Sequence, residues 1–208
     1  MDREELETMP YDDFDYGITV LLSPNGVGKT TTLLNIQREL SDNQYIKTIL
    51  YSHHDESCKT SKGASKLDFS DRFTEDVINS FFVSEGQELE YSFVNWLTDN
   101  VFPIFWEIKE KGKTQYKELV LLIDELDSGL SIDKIKNAIE VFPILIDDAK
   151  KYGIKLKIIL TANSYELASE FKENAIWILS KKKIDISTYN KFQKQYIDYY
   201  NKQKEEEK

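Results

Sequence analysis

The residue types between positions 23 and 31 are those that bind phosphate. Gly26 and Gly28 stand directly before the pair Lys29-Thr30, and Ser23 occupies the place where the usual loop pattern begins with a glycine. Glycines let a backbone curl so that successive N–H groups point at one anion. A lysine after such a loop binds the β- and γ-phosphates of a nucleotide, and the next hydroxyl ligates Mg²⁺. The spacing therefore predicts a loop that binds ATP and Mg²⁺.

A carboxylate pair follows an apolar run later in the chain. Asp124 and Glu125 come directly after residues 119–123, which are all apolar. An aspartate there would hold Mg²⁺, directly or through water. A glutamate there would act as the general base for the water that attacks the γ-phosphate. A capping pair at a strand end looks the same, but the position downstream of a phosphate loop favours the catalytic interpretation.

These side chains need a parallel sheet to bring them together. The predicted strands cover residues 18–22, 46–51, 119–123, 155–161 and 175–179. The predicted helices cover residues from about 29 to 40, 70 to 82, 89 to 111 and 131 to 152, and a further helix ends at Phe171. Pro103 is expected to bend or divide the helix over 89 to 111. Strands that alternate with helices indicate an α/β sandwich with a mainly parallel sheet. Because ligands bind at the carboxyl edge of such a sheet, we expect Leu22, Ile123 and Thr161 to end near one phosphate.

Composition narrows the class of protein. The chain has 208 residues, of which 40% are hydrophobic, and this suits one domain with a full core. A net charge of −10 disfavours general nucleic-acid binding, although it does not exclude a local basic patch. The single cysteine, Cys58, and a start without a signal peptide predict a cytoplasmic location. No apolar run approaches the roughly 20 residues that span a bilayer.

Four further segments have two possible roles each. The N-terminal aromatics, predicted in an edge strand or flap, could stack on adenine or pack on the sheet edge: Tyr11, Phe14 and Tyr16. A polar segment could bind metal but fits no usual zinc spacing and is more simply a solvated loop: His53, His54, Asp55, Glu56 and Cys58. Lysines 181–183 are more simply a solvated strand exit than a nucleic-acid contact. The helical tail beyond them is predicted to dock, on this chain or on a partner, through a face with Tyr189, Phe192, Tyr196 and Tyr199 or Tyr200.

Taken together, these motifs resemble those of the ABC-type ATPases. Residues 23–30 look like that superfamily's phosphate loop, and Ser84-Glu85-Gly86-Gln87 is similar to its signature motif. The segment 124–127 resembles its Walker B motif and D-loop, and Asn163 stands where the family has its switch residue. The resemblance covers most of residues 14–180. The Glu85 variant and the run 127–131 are more similar to soluble RecF-like, OLD-like and SMC-like members than to transporter subunits.

The resemblance implies a P-loop NTPase sandwich that works as an ATPase. Residues 1–180 would form the ATPase domain, with the signature and helical segment 71–111 inserted and 181–208 as a tail. Two chains would close head to tail on two ATP molecules. The implied nucleotide contacts are Ser23, Asn25, Gly26, Val27, Gly28, Lys29, Thr30, Thr31, Ser84, Gly86, Gln87 and Asp127. Thr30 and Asp124 would hold Mg²⁺, and Glu125, Asn163 and Lys29 would be catalytic.

Departures from the family keep other functions open. An asparagine at 163 in place of histidine implies slow hydrolysis, and no glutamine clearly matches the family's Q-loop. The same asparagine would suit the sensor of an AAA+-type ring ATPase, but no arginine follows Arg72 to act as a finger. A transporter subunit and a non-hydrolysing nucleotide sensor are the remaining alternatives. A separate effector, in antiviral defence or DNA maintenance, is the partner that the resemblance implies.

Overall fold

The fold is an α/β sandwich built on one six-stranded sheet. The computed structural model describes residues 9–52, 93, 96–128 and 131–206. The strands are β1 (Gly17–Leu22), β2 (Ile46–Ser52), β3 (Glu118–Asp124), β4 (Lys155–Thr161), β5 (Ala175–Trp177) and β6 (Lys182–Lys183). The helices are α1 (Lys29–Leu40), α2 (Phe102–Lys111), α3 (Ile132–Lys151), α4 (Tyr165–Glu170) and α5 (Tyr189–Glu206). Short 3₁₀ turns cover Tyr11–Asp13, Lys172–Asn174 and Ile178–Ser180.

Strand order sets which chain segments meet. The sheet runs β2-β3-β4-β1-β5-β6, and every neighbouring pair is parallel except β5 with β6. Strand β4 therefore separates β1 from β3. Its last residue, Thr161, pairs in register with Leu21, and Leu160 pairs with Ile123. The carboxyl ends of β1, β4 and β3 consequently lie side by side, as the sequence predicts.

Alternate residues of the central strands enter two different cores. On β3, Leu119, Leu121 and Ile123 join a cluster that includes the α3 residues Phe142 and Leu145. The intervening residues of β3, Val120 and Leu122, join a cluster with Leu33 and Ile36 of α1. A strand covered by helices on both faces needs apolar side chains at every position. This explains why the strand appears in the sequence as a continuous apolar run.

Several predicted boundaries differ from the observed ones by one residue, and the largest difference is at the last predicted strand. The last long strand was expected to reach residue 179, but β5 ends at Trp177 and a 3₁₀ turn follows. Leu179 is 47% exposed, and Lys181 has a left-handed φ of 53°, so the chain reverses there. Lysines 182 and 183 then pair antiparallel with β5 as an exposed strand, instead of simply leaving the sheet. The helix predicted over residues 131–152 is observed as α3 over Ile132–Lys151.

Proline 103 divides the aromatic segment as predicted. Residues 96–100 are helical, Val101 is a turn, and α2 begins at Phe102 with the proline in its first turn. A proline is tolerated there because the first N–H groups of a helix have no partner within the helix. The predicted helix 70–82 and the polar segment of His53, His54, Asp55, Glu56 and Cys58 lie outside the described residues.

Two of the three N-terminal aromatics pack against the sheet. Tyr11 and Phe14 are buried in the core on the α1 side, so the packing alternative is confirmed for both. Residues 11–13 form a 3₁₀ turn where an edge strand or flap was expected. Tyr16 precedes the amino end of β1, which lies a six-residue strand, or about 20 Å, from the loop after β1. Adenine stacking by these three residues is therefore not supported.

The C-terminal helix docks on its own chain, which is one of the two alternatives that its aromatic face leaves open. Phe192 is buried, with its ring centroid 5.6 Å from that of Tyr165 on α4. Tyr196 lies 5.1 Å from Trp177 of β5, centroid to centroid. The helix therefore packs against both α4 and β5. No helix within the described ranges is long and apolar enough to cross a bilayer.

Candidate functional site

The loop after β1 has the backbone that its glycines predict. Gly26 has a φ of 80° and Gly28 a φ of 112°, and both values lie where L side chains are strained. Gly28 precedes α1, and its carbonyl accepts from the Thr32 N–H at 2.8 Å. Ser23 keeps a negative φ, since the described non-glycine residues with positive φ are Glu125 and Lys181. The serine can therefore stand where the pattern usually has glycine.

Lys29 lies across this loop. It is the first residue of α1 and only 6% exposed, and its Nζ donates to the Ser23 carbonyl oxygen at 2.7 Å. Burial lowers the pKa of Lys29, and the nearby carboxylates of Glu125, Asp127 and Asp124 act in the opposite direction. A buried ammonium at the N-terminus of a helix, beside N–H groups, is suited to bind an anion.

Thr30 and Thr161 both hold the carboxylate of Asp124. The Thr30 hydroxyl donates to Asp124 Oδ2 at 2.8 Å, and the Thr161 hydroxyl donates to Oδ1 at 2.9 Å. Burial raises the pKa of the Asp124 carboxyl, although both hydroxyl donors act to lower it. The first contact joins the loop after β1 to the end of β3. The two motifs that the sequence predicts to cooperate are therefore adjacent.

The pair Thr30–Asp124 fits one Mg²⁺ ion. Two neighbouring ligands of an octahedral Mg²⁺ lie about 3.0 Å apart when each bond is about 2.1 Å. The observed separation of 2.8 Å between Thr30 Oγ1 and Asp124 Oδ2 is close to that value. No cluster of three or more His, Cys, Asp or Glu ligands occurs in the part of the chain that the structure describes. A magnesium ion here would take its other ligands from water and a bound phosphate.

Glu125 has a strained backbone. Its φ is 53°, in the left-handed region that costs a non-glycine residue about 1–2 kcal/mol. The Thr161 hydroxyl accepts from the Glu125 N–H at 2.8 Å and so holds this conformation. Asn163 Nδ2 donates to Glu125 Oε1 at 3.4 Å. Strain that is held by neighbouring groups often marks a functional position.

Asp127 fixes the turn that carries Asn163. Its Oδ2 accepts from the N–H groups of Asn163 at 2.9 Å and Ser164 at 2.6 Å. The Ser164 hydroxyl in turn accepts from the Leu167 N–H at 3.3 Å and caps α4. Asp127 is only 9% exposed. In this structure the aspartate therefore positions Asn163 through its backbone N–H.

A cleft of ≈ 180 Å³ joins seven of the twelve predicted site residues that the structure describes. Its lining comprises Asn25, Gly26, Gly28, Lys29, Thr30, Thr31 and Glu125. The other described residues of the predicted set do not line it: Ser23, Val27, Asp124, Asp127 and Asn163. Ser84, Gly86 and Gln87 lie outside the described residues.

The sequence predicts that Thr161 ends near the phosphate but assigns no role to its hydroxyl. Thr161 is fully buried, and its hydroxyl contacts both Asp124 and Glu125. The one feature of the sequence that could have indicated this role is a hydroxyl side chain at the last position of an apolar strand. Its meaning depends on β4 lying next to β3, and the sequence alone does not supply that strand order.

Replacing the buried carboxylate should stabilise the protein without nucleotide. We expect Asp124→Asn to raise the melting temperature at neutral pH by about 2–4 °C, the shift that ~1 kcal/mol produces in a domain of this size. The reason is that burial raises the pKa of Asp124, so the ionised group is held at a cost in the folded state. As the pH falls, the folded wild type binds this proton before the unfolded chain does, and the difference from the variant should shrink.

Differential scanning calorimetry across a pH series measures this difference. The exposed Asp42→Asn is the matched control, for which the melting temperature should change little at any pH. A lower melting temperature for Asp124→Asn at neutral pH, or a gain that does not vary with pH, would contradict the prediction.

No protein-family model matches the chain, and no curated protein matches it. Among solved structures, the chain is similar to the cytoplasmic domain of EssC, at 9% sequence identity and a TM-score of 0.32. The match covers 82% of this chain and 34% of that one, so this chain spans about a third of that structure.

Proposed function

We propose that this chain is an ABC-type P-loop ATPase that closes as a head-to-tail homodimer on ATP and Mg²⁺. Slow hydrolysis would open the dimer, and the cycle would gate or drive a separate effector protein. The observation that carries the proposal is the 2.8 Å contact between Thr30 on the glycine loop and Asp124 at the end of β3. It brings an anion-binding loop and a carboxylate to the point where a nucleotide-bound cation would lie.

Each part of the loop then has a defined role. The N–H groups around Gly26 and Gly28 and the N-terminus of α1 would bind the phosphates. Lys29 would turn from the Ser23 carbonyl to the β- and γ-phosphates. Thr30 and Asp124 would hold Mg²⁺, which neutralises charge on the phosphates when it is bound.

Glu125 and Asn163 would act on the attacking water. Glu125 lines the cleft beside the loop, and this supports the proposal that its carboxylate accepts a proton from water near the γ-phosphate. Asn163 contacts that carboxylate at 3.4 Å and would orient the base or the water. An amide cannot carry a positive charge to the transition state, and this supports slow turnover.

The dimer would complete a site that one chain leaves open. Asn25, Gly26 and Thr30 are exposed, so a nucleotide on this loop would be covered on one side only. The motif of Ser84, Gly86 and Gln87 on a second copy would cover the γ-phosphate, as the resemblance implies. Closing and opening would then depend on whether that phosphate is present.

An AAA+-type ring ATPase is the second candidate. The observation in its favour is that Asn163 follows β4 and contacts Glu125, as a sensor asparagine would. The sequence beyond Arg72 contains no arginine to act as a finger on a neighbour's nucleotide. We therefore place it second.

Phosphate release and sedimentation velocity, measured on the same samples, test the proposal. Mg²⁺-dependent release of phosphate from ATP, together with an ATP-dependent monomer–dimer shift, is the expected result. Hexamers would favour the ring ATPase. Tight ATP binding without any turnover would favour a non-hydrolysing sensor.

Removing the Thr161 hydroxyl should slow turnover without removing nucleotide binding. In Thr161→Val the Glu125 N–H loses its acceptor and Asp124 loses one donor, so both carboxylates are less well placed. We expect kcat to fall about 10- to 100-fold, the range that misplacement of reacting groups produces. The dissociation constant for ATP should change less than about threefold, since the loop itself is intact.

Thr161→Ser is the matched control, because it keeps the hydroxyl and removes only a methyl group. It should retain most of the activity. If both variants lose activity equally, packing of the side chain is responsible and the positioning role is wrong. Measuring kcat, KM and the Mg²⁺ dependence separately distinguishes these outcomes.

A further inference from the structure

A groove of ≈ 640 Å³ runs along the amino edge of β2, β3 and β4, opposite the edge that carries Thr30 and Asp124. Six of its lining residues, here called the lysine–tyrosine groove, are Tyr45, Tyr116, Tyr152, Lys113, Lys117 and Lys155. Backbone hydrogen bonds connect the segments that line this groove. The Lys117 N–H donates to the Tyr45 carbonyl at 2.8 Å, and the Lys155 N–H donates to the Lys117 carbonyl at 3.1 Å.

The groove is basic although the whole chain is acidic. Its three lysines are exposed, whereas the net charge of the protein is −10. Among the described lining residues, Glu118 carries the one carboxylate, and it accepts from the Tyr11 hydroxyl. Within the described ranges, none of the three lysines lies within 4.0 Å of a carboxylate. A positive strip is therefore available to an anionic partner.

Helix dipoles do not account for these lysines. The last turns of α2 and α3 reach the same edge and carry Lys111 and Lys151, which complement the negative ends of the helices. Lys113 and Lys117 lie beyond α2 in the loop before β3, and Lys155 is the first residue of β4. The positive charges of these three lysines are therefore additional to those that complement the negative helix ends.

Aromatic rings stand beside the cations. Tyr45 is 50% exposed, and the Lys117 Nζ lies 5.0 Å from its ring centroid. Lys47 Nζ lies 5.9 Å from the ring of Tyr116 in the same groove. Proteins that bind single strands combine a positive groove for phosphates with aromatic rings on which bases stack. An acidic peptide would use the lysines but would have less use for the rings.

We propose that the lysine–tyrosine groove binds single-stranded nucleic acid. Lys113, Lys117 and Lys155 contact successive phosphates, and Tyr45 stacks on a base. The local charge outweighs the unfavourable charge of the whole chain, since charges beyond about 10 Å are screened at 0.1 M salt. The groove is on the far edge of the sheet from the cleft at Thr30, so binding there does not require the proposed ATPase function.

Fluorescence anisotropy with a labelled oligothymidylate of about 12 nucleotides tests the charge requirement, without ATP. The test variant is Lys113→Gln/Lys117→Gln/Lys155→Gln. The matched control removes three exposed lysines elsewhere, at Lys136, Lys194 and Lys202. We expect the groove variant to bind at least about 10-fold more weakly, and its salt slope to fall by about 2, or ~0.7 for each lost phosphate contact. The control should stay within about threefold of wild type.

Tyr45 tests the stacking requirement. Tyr45→Ala should weaken binding about 5- to 10-fold without changing the salt slope, and Tyr45→Phe should keep the affinity. Three results would overturn the proposal: no binding at 50 mM salt, equal losses in the groove and control variants, or tighter binding of a polyglutamate peptide than of the oligonucleotide. The last would identify the groove as a site for an acidic protein.

Discussion

The Glu125→Gln protein is expected to bind ATP as tightly as the wild type but to hydrolyse it about 10²- to 10⁴-fold more slowly, the range for loss of a general base. Glutamine has the shape of glutamate but takes up no proton near neutral pH. The contacts around it should remain, because the Glu125 N–H binds Thr161 through the backbone and Asn163 can donate to an amide oxygen. Single-turnover hydrolysis and equilibrium binding of a fluorescent ATP analogue measure the two quantities separately.

Glu170→Gln is the control for that experiment, since Glu170 is an exposed carboxylate at the end of α4. Its turnover should match the wild type. If Glu125→Gln hydrolyses ATP at the wild-type rate, Glu125 is not the base. If it fails to bind ATP, its role is in binding and not in proton transfer.

Lys29→Met should lower the affinity for ATP about 100-fold while leaving the fold intact. The loss follows from removing charge-assisted bonds to two phosphates, which are each stronger than neutral ones. Burial lowers the pKa of Lys29, so the charged ammonium is held in the folded protein at a cost. Methionine fills a similar volume without that cost, and the melting temperature without nucleotide should therefore stay equal or rise.

A second buried lysine provides the control. Lys157 on β4 is 5% exposed, and its Nζ lies 3.8 Å from the ring centroid of Tyr11. Lys157→Met should lose that cation–π contact and some stability, by about 0.5–2 kcal/mol. Its affinity for ATP should remain near that of the wild type. Equal ATP affinity in Lys29→Met and the wild type would contradict the assignment of the loop.

The sequence predicted the central strands because their burial is nearly complete. All seven residues of β3 are buried, so no polar position interrupts the apolar run, and its end is marked by Asp124. The loop was predictable for a related reason. The positive φ of Gly28 could be predicted because glycine is the residue that adopts such values without steric cost.

Other features depend on contacts between distant segments. The role of Thr161 follows from β4 lying between β1 and β3, which no local pattern encodes. The 3₁₀ turn at Tyr11 is linked to the sheet by a hydrogen bond from the Tyr11 hydroxyl to Glu118, a residue far along the chain. The basic groove arises because Lys117 directly precedes β3 and Lys155 starts the neighbouring strand β4, although the two lysines are 38 positions apart in sequence. Net charge could not reveal such a local grouping.

The molar mass of Glu125→Gln, measured by light scattering with and without saturating ATP and Mg²⁺, tests the head-to-tail dimer most directly. The chain has a mass of 24.3 kDa, and we expect ATP to double the measured mass. Adding Ser84→Arg to the same protein should leave ATP binding intact but keep the mass at that of one chain. A single-chain mass for Glu125→Gln with ATP bound, or a dimer that survives Ser84→Arg, would contradict the account.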